Sequence, residues 1–259
     1  MPIWHGRRPG NQTYTRLGDF RTSAVRGSGR KIPVELEGAI CKIGGMNKSL
    51  KTAAFDSVNE IATVRIELSD TDPLIWREVE VPTSITLKVL HDVVQAVMGW
   101  FDYHLWEFTV DKLRYGLPMD EDWGAEPRKE AARVRLRDIL KPGTTTIGYL
   151  YDFGDSWEHR LTVTDVRIGE PAASYPRYVG GERNAPPEDC GGILGFYDML
   201  DVLADPDHPN HADATEWTDA YDPDTIDELP IEYALLRIAN RRNAAKARLT
   251  ENARPKSVT

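Results

Sequence analysis

The side chains best able to do chemistry crowd around one Gly-Asp-Ser turn. Asp152, Asp155, Glu158 and His159 lie close together, and Glu188, Asp189 and Cys190 follow in a Gly/Pro-rich stretch. Carboxylates with an imidazole make the donor set of a Mg²⁺, Mn²⁺ or Zn²⁺ site, because hard oxygens neutralise the ion and a histidine nitrogen adds a borderline ligand. The metal candidates are Asp152, Asp155, His159 and Glu188, with His91 and His104 as further imidazoles. The wider candidate pocket is His104, Tyr151, Asp152, Asp155, Trp157, His159, Glu188 and Asp189. Strand alternation sets Asp152 opposite Tyr151 and Phe153 while Trp157 and His159 share a face, so one hairpin brings only part of this set together. In the competing account Asp155 shapes the turn, Asp152 bonds backbone amides and His159 is a satisfied core polar group. That account carries more weight, so no cofactor is assigned and a divalent metal stands as the alternative.

Other chemistries fit less well. Ser156 in Gly154-Asp155-Ser156 invites a nucleophile reading with His208, but Glu158 stands where a nucleophile elbow needs its second glycine, and the serine sits mid-chain in a hairpin. His208 and His211 are three apart, yet Pro209 between them opposes presentation from one helix. Cys41 and Cys190 are too few for a disulfide framework or a cysteine zinc site. Gly191-Gly192 allows a tight backbone path whose amides would also form an anion nest.

These residues must be positioned by a small set of elements. From Ala62, Val64, Ile66 and Leu68 alternate with Arg65 and Glu67 as a half-buried strand, and Ser69 to Pro73 turns the chain into a returning strand over Trp76 to Val81. Leu87, Leu90, Val94 and Val97 then recur at helical spacing, with Thr86 as N-cap and Gly99 as C-cap. A strand over Leu105 to Val110 and a brief helix over Leu136 to Leu140 follow. Ile147 to Phe153 and Trp157 to Val163 form a second hairpin around Gly154-Asp155-Ser156. Tyr175 to Gly192 reads as loop, and helices are expected around Phe196 to Leu203 and from Thr225 to about Leu249. Trp76, Trp100, Trp106, Trp157, Tyr149, Tyr151 and Phe153 are expected mainly in the core. His91, on the apolar side of its helix, reads as a satisfied core histidine.

The expected class is α+β: an antiparallel or mixed sheet built from hairpins, an amphipathic helix on one face, a β-grasp-like opening and a helical C-terminal part. Residues 1–57 are expected as a disordered basic extension, 58–249 as one domain and 250–259 as a flexible tail. The 259 residues are 41% hydrophobic and 28% charged, with 20 Gly and 17 Pro, which excludes collagen-like, coiled-coil and low-complexity classes. The most apolar uncharged run, Val93 to Phe101, is about half the length of a bilayer span. No apolar signal region follows the scattered N-terminal arginines, so a cytoplasmic location is expected.

Charge is divided unevenly. Residues 1–51 carry 10 Lys+Arg against 3 Asp+Glu, and the remaining 208 carry 22 against 38, a basic segment of +7 on a body of −16. Such a body repels phosphate backbones, so nucleic acid is an expected partner only through the N-terminal segment.

Five ordered motifs combine: Pro73-Leu74-Ile75-Trp76-Arg77; Leu90-His91-Asp92-Val93-Val94-Gln95 through Met98-Gly99-Trp100; His104-Leu105; Tyr151 through His159; and Pro186-Pro187-Glu188-Asp189-Cys190-Gly191-Gly192. Together, over about residues 60–230, they make the sequence resemble the Ri-plasmid ORF-three-like family. The resemblance implies an association with plasmids and mobile elements but no defined activity. Many members of that family resemble a pattern with cysteines where this chain has Tyr178 and Ala185, which argues against a thiol-based metal or redox role here. The expected function is a cytosolic, non-catalytic binding or interaction module with an unknown protein or small-molecule partner and no membrane. The alternatives are a metal-dependent hydrolase centred on the Asp/His/Glu cluster and a nucleic-acid accessory protein acting through the basic segment.

Overall fold

A computed structural model describes residues 60–118, 128–141, 145–219 and 221–252. The basic segment and the last seven residues lie outside this set. The described chain is an α+β protein with a mixed sheet of eight strands and five helices. Its elements are β1 (Glu60–Leu68), β2 (Trp76–Pro82), α1 (Leu87–Met98), β3 (Trp106–Val110), β4 (Leu113–Gly116), β5 (Lys129–Glu130), α2 (Leu136–Ile139), β6 (Thr145–Tyr151), β7 (Trp157–Ile168), β8 (Arg177–Glu182), α3 (Gly192–Ala204), α4 (His211–Thr218) and α5 (Glu228–Asn252). The strand order is β5-β4-β3-β6-β7-β1-β2-β8. Neighbours are antiparallel except β4 and β5, which are parallel.

Alternation decides which side chains reach the core. Ala62, Val64, Ile66 and Leu68 of β1 have no exposed area, and Val79, Val81, Ile147, Tyr149, Leu161 and Val163 continue that layer on neighbouring strands. Helix α1 covers it with Leu87, Leu90, Val94 and Val97. Thr86 caps α1 by accepting from the Val89 N–H, and Gly99 ends it at φ 74°, a left-handed conformation that glycine adopts without a Cβ penalty.

Two expectations are corrected here. Trp76 leaves the core because alternation sets it beside Glu78 and Glu80 on the outer face. There its indole N–H donates to Glu182 (3.2 Å) and the Arg65 guanidinium lies 3.9 Å above the ring. Phe153 is exposed because β6 ends at Tyr151 and the chain is already turning. The core position on β2 goes instead to Arg77, only 1% exposed. Its Nε donates to the Val97 carbonyl (3.0 Å), and its Nη1 donates to the carbonyls of Trp76 (2.8 Å), Glu182 (3.2 Å) and Arg183 (2.7 Å). A buried cation held by backbone oxygens ties α1 to the end of β8.

Strand β8 lies inside the stretch expected as loop. Gly181 suits it because a Cβ there would stand within 3 Å of the Tyr178 hydroxyl, Arg77 Cδ and the Trp76 carbonyl. Helix α5 runs from Glu228 to Asn252, slightly past the expected end. Strand β3 does not pair with β1; β6 and β7 lie between them.

Candidate functional site

Three loops meet at one end of the sheet: residues 99–105 after α1, the β6–β7 turn, and the 186–191 segment before α3. The buried Trp100 indole stacks on Tyr151 (centroids 5.0 Å apart) and donates to the Pro186 carbonyl (2.9 Å), joining the first and third loops. Phe101 N–H donates to Glu188 (2.9 Å), Tyr103 N–H donates to the Tyr151 hydroxyl (3.1 Å), and that hydroxyl donates in a short bond to Glu188. Asp152 N–H donates to the Leu105 carbonyl (2.9 Å). Burial, reinforced by the Glu188 carboxylate, pushes the Tyr151 phenol far above its ordinary range, so it stays a protonated donor.

His104 lies between two carboxylates. Its Nδ1 is 3.5 Å from Asp152 Oδ2 and its Nε2 is 3.0 Å from Asp189 Oδ1. The second approach lacks hydrogen-bond alignment, so the solvent-shielded Nε2 has no hydrogen-bond partner. Donor atoms of His104, Asp152 and Asp189 lie within 4.8 Å of one another, a spacing that would admit a divalent ion. Asp152 and Asp189 sit at φ 54° and 60°, the left-handed region aspartate tolerates better than most residues. Asp152 also accepts from the Gly154 amide (2.9 Å), as an Asx turn does.

The remaining predicted residues stand elsewhere. Asp155 is held by the Gly191 amide (3.1 Å), so the glycine nest is filled by the chain's own carboxylate. A Cβ on Gly192 would meet the Asp155 carbonyl at 2.4 Å, which fixes glycine there. Burial raises the Asp155 carboxyl above its ordinary range; the Gly192 and Gly191 amides oppose that shift, and Asp152 and Asp189 add to it. Glu188 is taken by Tyr151 and Phe101. His159 faces the core, 3% exposed, between the edge of Trp100 and the ring of Tyr149. Its Nδ1 lies 3.0 Å from the Trp157 carbonyl, which only accepts, so Nδ1 carries the proton. Burial holds its pKa down at about 4. Among the described residues, neither Asp155, His159 nor Glu188 joins a group of three ligand atoms. Trp157 is core, 1% exposed. Cys190 is buried and its thiol pKa is pushed up by burial, which suits neither ligation nor attack. His208 accepts from the Asn210 amide (3.1 Å), and Ser156 is a turn residue at φ 54°.

Sequence reasoning missed one feature and, of a second, anticipated only that His91 is a satisfied core histidine. Phe101 and Tyr103 are 63% and 70% exposed and stack on each other (5.7 Å), with Leu105 and Phe153 also exposed. The available signal was the aperiodic aromatic run directly behind the Gly99 cap. The second is a polar network on α1. His91 bonds the Tyr149 hydroxyl through Nδ1 (2.8 Å) and Asp102 through Nε2 (2.8 Å), and it stacks on Trp106 (4.0 Å). Gln95 donates to the same hydroxyl (3.1 Å) and accepts from the Asp102 amide (3.0 Å). Burial first, then Lys88, hold the His91 pKa down at about 4 against the pull of Asp102.

The sequence matches the family model described as plasmid pRiA4b ORF-3-like protein over residues 60–229. It is 38% identical over 171 residues to the uncharacterized protein y4hQ of Sinorhizobium fredii (strain NBRC 101917 / NGR234), covering 65% of this chain and 86% of that one. The fold is similar to the crystal structure of a protein of unknown function from Methanosarcina mazei Go1. The TM-score is 0.60 and the identity 31%, covering 65% of this chain and 95% of that one.

Proposed function

The chain belongs to the plasmid pRiA4b ORF-3-like protein family, and we propose that it is a non-catalytic binding module whose three-loop site takes a cationic partner segment. One observation carries this reading: the exposed aromatics Phe101 and Tyr103 belong to the loop whose His104 lies between Asp152 and Asp189 and whose Phe101 amide donates to Glu188. Aromatic faces and carboxylates attract the same ligands, ammonium and guanidinium groups, and together favour lysine- or arginine-bearing chains. The net −16 of residues 52–259 would steer such a partner inward. The test is a titration of the full chain with an oligolysine and an oligoglutamate peptide, followed by tryptophan fluorescence. The expected result is saturable, salt-sensitive binding of the basic peptide alone, lost in the Phe101→Ala, Tyr103→Ala double variant. Equal binding of both peptides, or binding indifferent to that variant, would overturn it.

A second reading is favoured by His104 Nε2, which faces Asp189 at 3.0 Å without making a hydrogen bond. In it, His104, Asp152 and Asp189 hold a divalent ion, the coordination on which a metal-dependent hydrolase would rest. Titration with Zn²⁺ and Mn²⁺ should then raise the melting temperature, and Asp189→Ala should abolish that rise. The nucleic-acid alternative concerns residues outside the described set. The 58–249 domain and the cytoplasmic location belong to the same proposal; among the described residues no helix is long and apolar enough to cross a membrane. The order strand, strand, helix, strand and the helices after β8 support describing the opening as grasp-like and the C-terminal part as helical.

A further inference from the structure

Helix α5 has two apolar faces, and among the described residues only one is covered. Ile231, Leu235, Ile238 and Ala239 are buried. Leu229, Tyr233 and Leu236 stay 58%, 61% and 44% exposed. Their spacings of four and three, continued by exposed Asn240, are the alternating interval of a two-helix seam. At 100° per residue these four positions fall within one narrow stripe, opposite the buried face.

We infer that this stripe is a self-association surface on which α5 pairs in parallel with α5 of a second copy of this chain. The flanking charges select both the partner and the orientation. With Leu229 and Leu236 as d positions and Tyr233 and Asn240 as a positions, Glu232 falls at g and Arg237 at the following e. A g residue of one parallel helix meets the e residue five places on in the other, so two-fold symmetry makes the Glu232 to Arg237 pair twice. In the antiparallel arrangement flanks of the same kind face each other, which would set glutamate beside glutamate and arginine beside arginine. Neither Glu232 nor Arg237 has an ion-pair or hydrogen-bond partner among the described residues of its own chain. Glu228 with Glu232, and Arg237 with Arg241, are like-charge pairs four apart, an arrangement that weakens a lone helix and that a partner's opposite charges relieve. An asparagine at an a position, here Asn240, is the side chain that fixes register and two-strandedness in parallel pairs.

The stripe is short, about two heptads, well below a standard interface, so the dimer is weak and concentration-dependent. Sedimentation velocity on the full chain from about 1 to 300 μM should show reversible monomer–dimer exchange. Leu236→Glu should weaken dimerisation at least about tenfold while leaving the melting profile intact, since the side chain is exposed. Glu232→Arg and Arg237→Glu should each weaken it, and the two together should restore it, because the exchanged charges again meet across the parallel pair. Orientation is read from Asn240→Cys, which should crosslink to its own copy under mild oxidation, as a positions adjoin across the axis. A chain monomeric throughout that range, a dimer untouched by Leu236→Glu, or single charge variants not rescued by their combination would each overturn the inference.

Discussion

Two clusters in this molecule have the same composition, one histidine and two aspartates, and the same compactness of donor atoms: His91, Asp92 and Asp102 on α1 and the loop behind it, and His104, Asp152 and Asp189 where three loops meet. They differ in saturation. Both ring nitrogens of His91 are hydrogen-bonded, and Lys88 bonds Asp92 (2.7 Å) and lies 3.6 Å from Asp102. That cluster has spent its valences on holding α1 to β6. His104 keeps a nitrogen without a hydrogen bond, and its loops present exposed rings. Neither ligand-type composition nor an unmade hydrogen bond alone locates a site, since His159 Nε2 in the core is also without one; what sets the second cluster apart is that its loops also present exposed rings.

The largest effect should come from acid, through His91 of the saturated cluster and His159, which packs on the same Tyr149 ring. His91 and His159 have folded pKa values near 4 against an ordinary 6.5. A depressed histidine means that the unfolded chain binds protons more readily, so its contribution is complete above about pH 6.5 and is lost as pH falls toward 4. At 1.36 kcal/mol per unit for each group, the two together should cost on the order of 5 kcal/mol by about pH 4.5. Urea denaturation across pH 7.5 to 4.5 reads this loss, and His159→Phe should flatten the curve. A profile unchanged by that substitution would place the acid sensitivity elsewhere.

Next in size, His91→Ala should destabilise the fold by about 3 kcal/mol. It removes a fully buried ring stacked on Trp106 and leaves the Tyr149 hydroxyl and Asp102 short of a partner. Tyr149→Phe should cost less, about 1 to 2 kcal/mol, since the ring stays packed and only the hydroxyl shared by His91 and Gln95 is lost. Chemical denaturation measures both, and if Tyr149→Phe proved the costlier, packing rather than the hydroxyl network would be the wrong baseline.

The hairpins, α1 and its two caps were legible because each rests on local physics: period-two alternation, period-3.6 spacing, a threonine N-cap and a glycine C-cap. What was not legible depends on contacts distant in sequence. Strand β8 reads as loop because Gly180 and Gly181 have no strand propensity, and Gly181 is required only by Arg77, Trp76 and Tyr178 crowding its α-carbon. The burial of Arg77 likewise follows only from its carbonyl partners at Glu182 and Arg183, more than 100 residues on. At the site, Asp152 and Asp189 are seen from composition, but their convergence on His104 depends on Trp100 and Tyr151 drawing three loops together. Alternation did contain the fate of His159: sharing a face with Trp157 sends both into the core, away from the carboxylates.

The smallest effect should be that of His104→Ala, and its smallness is what gives it meaning. His104 is partly exposed, with 28% of its side chain reaching solvent, and its approaches to Asp152 and Asp189 make no aligned hydrogen bond. Ion pairs of this exposure contribute at most about 1 kcal/mol, and removing the ring leaves two aspartates that water solvates readily. Denaturation should thus register a loss within about 1 kcal/mol, while the Zn²⁺-induced rise in melting temperature, if His104 is a ligand, should vanish. A loss above about 2 kcal/mol would mean that His104 clamps the loops together as His91 clamps α1. The two clusters would then be alike in role as well as in composition.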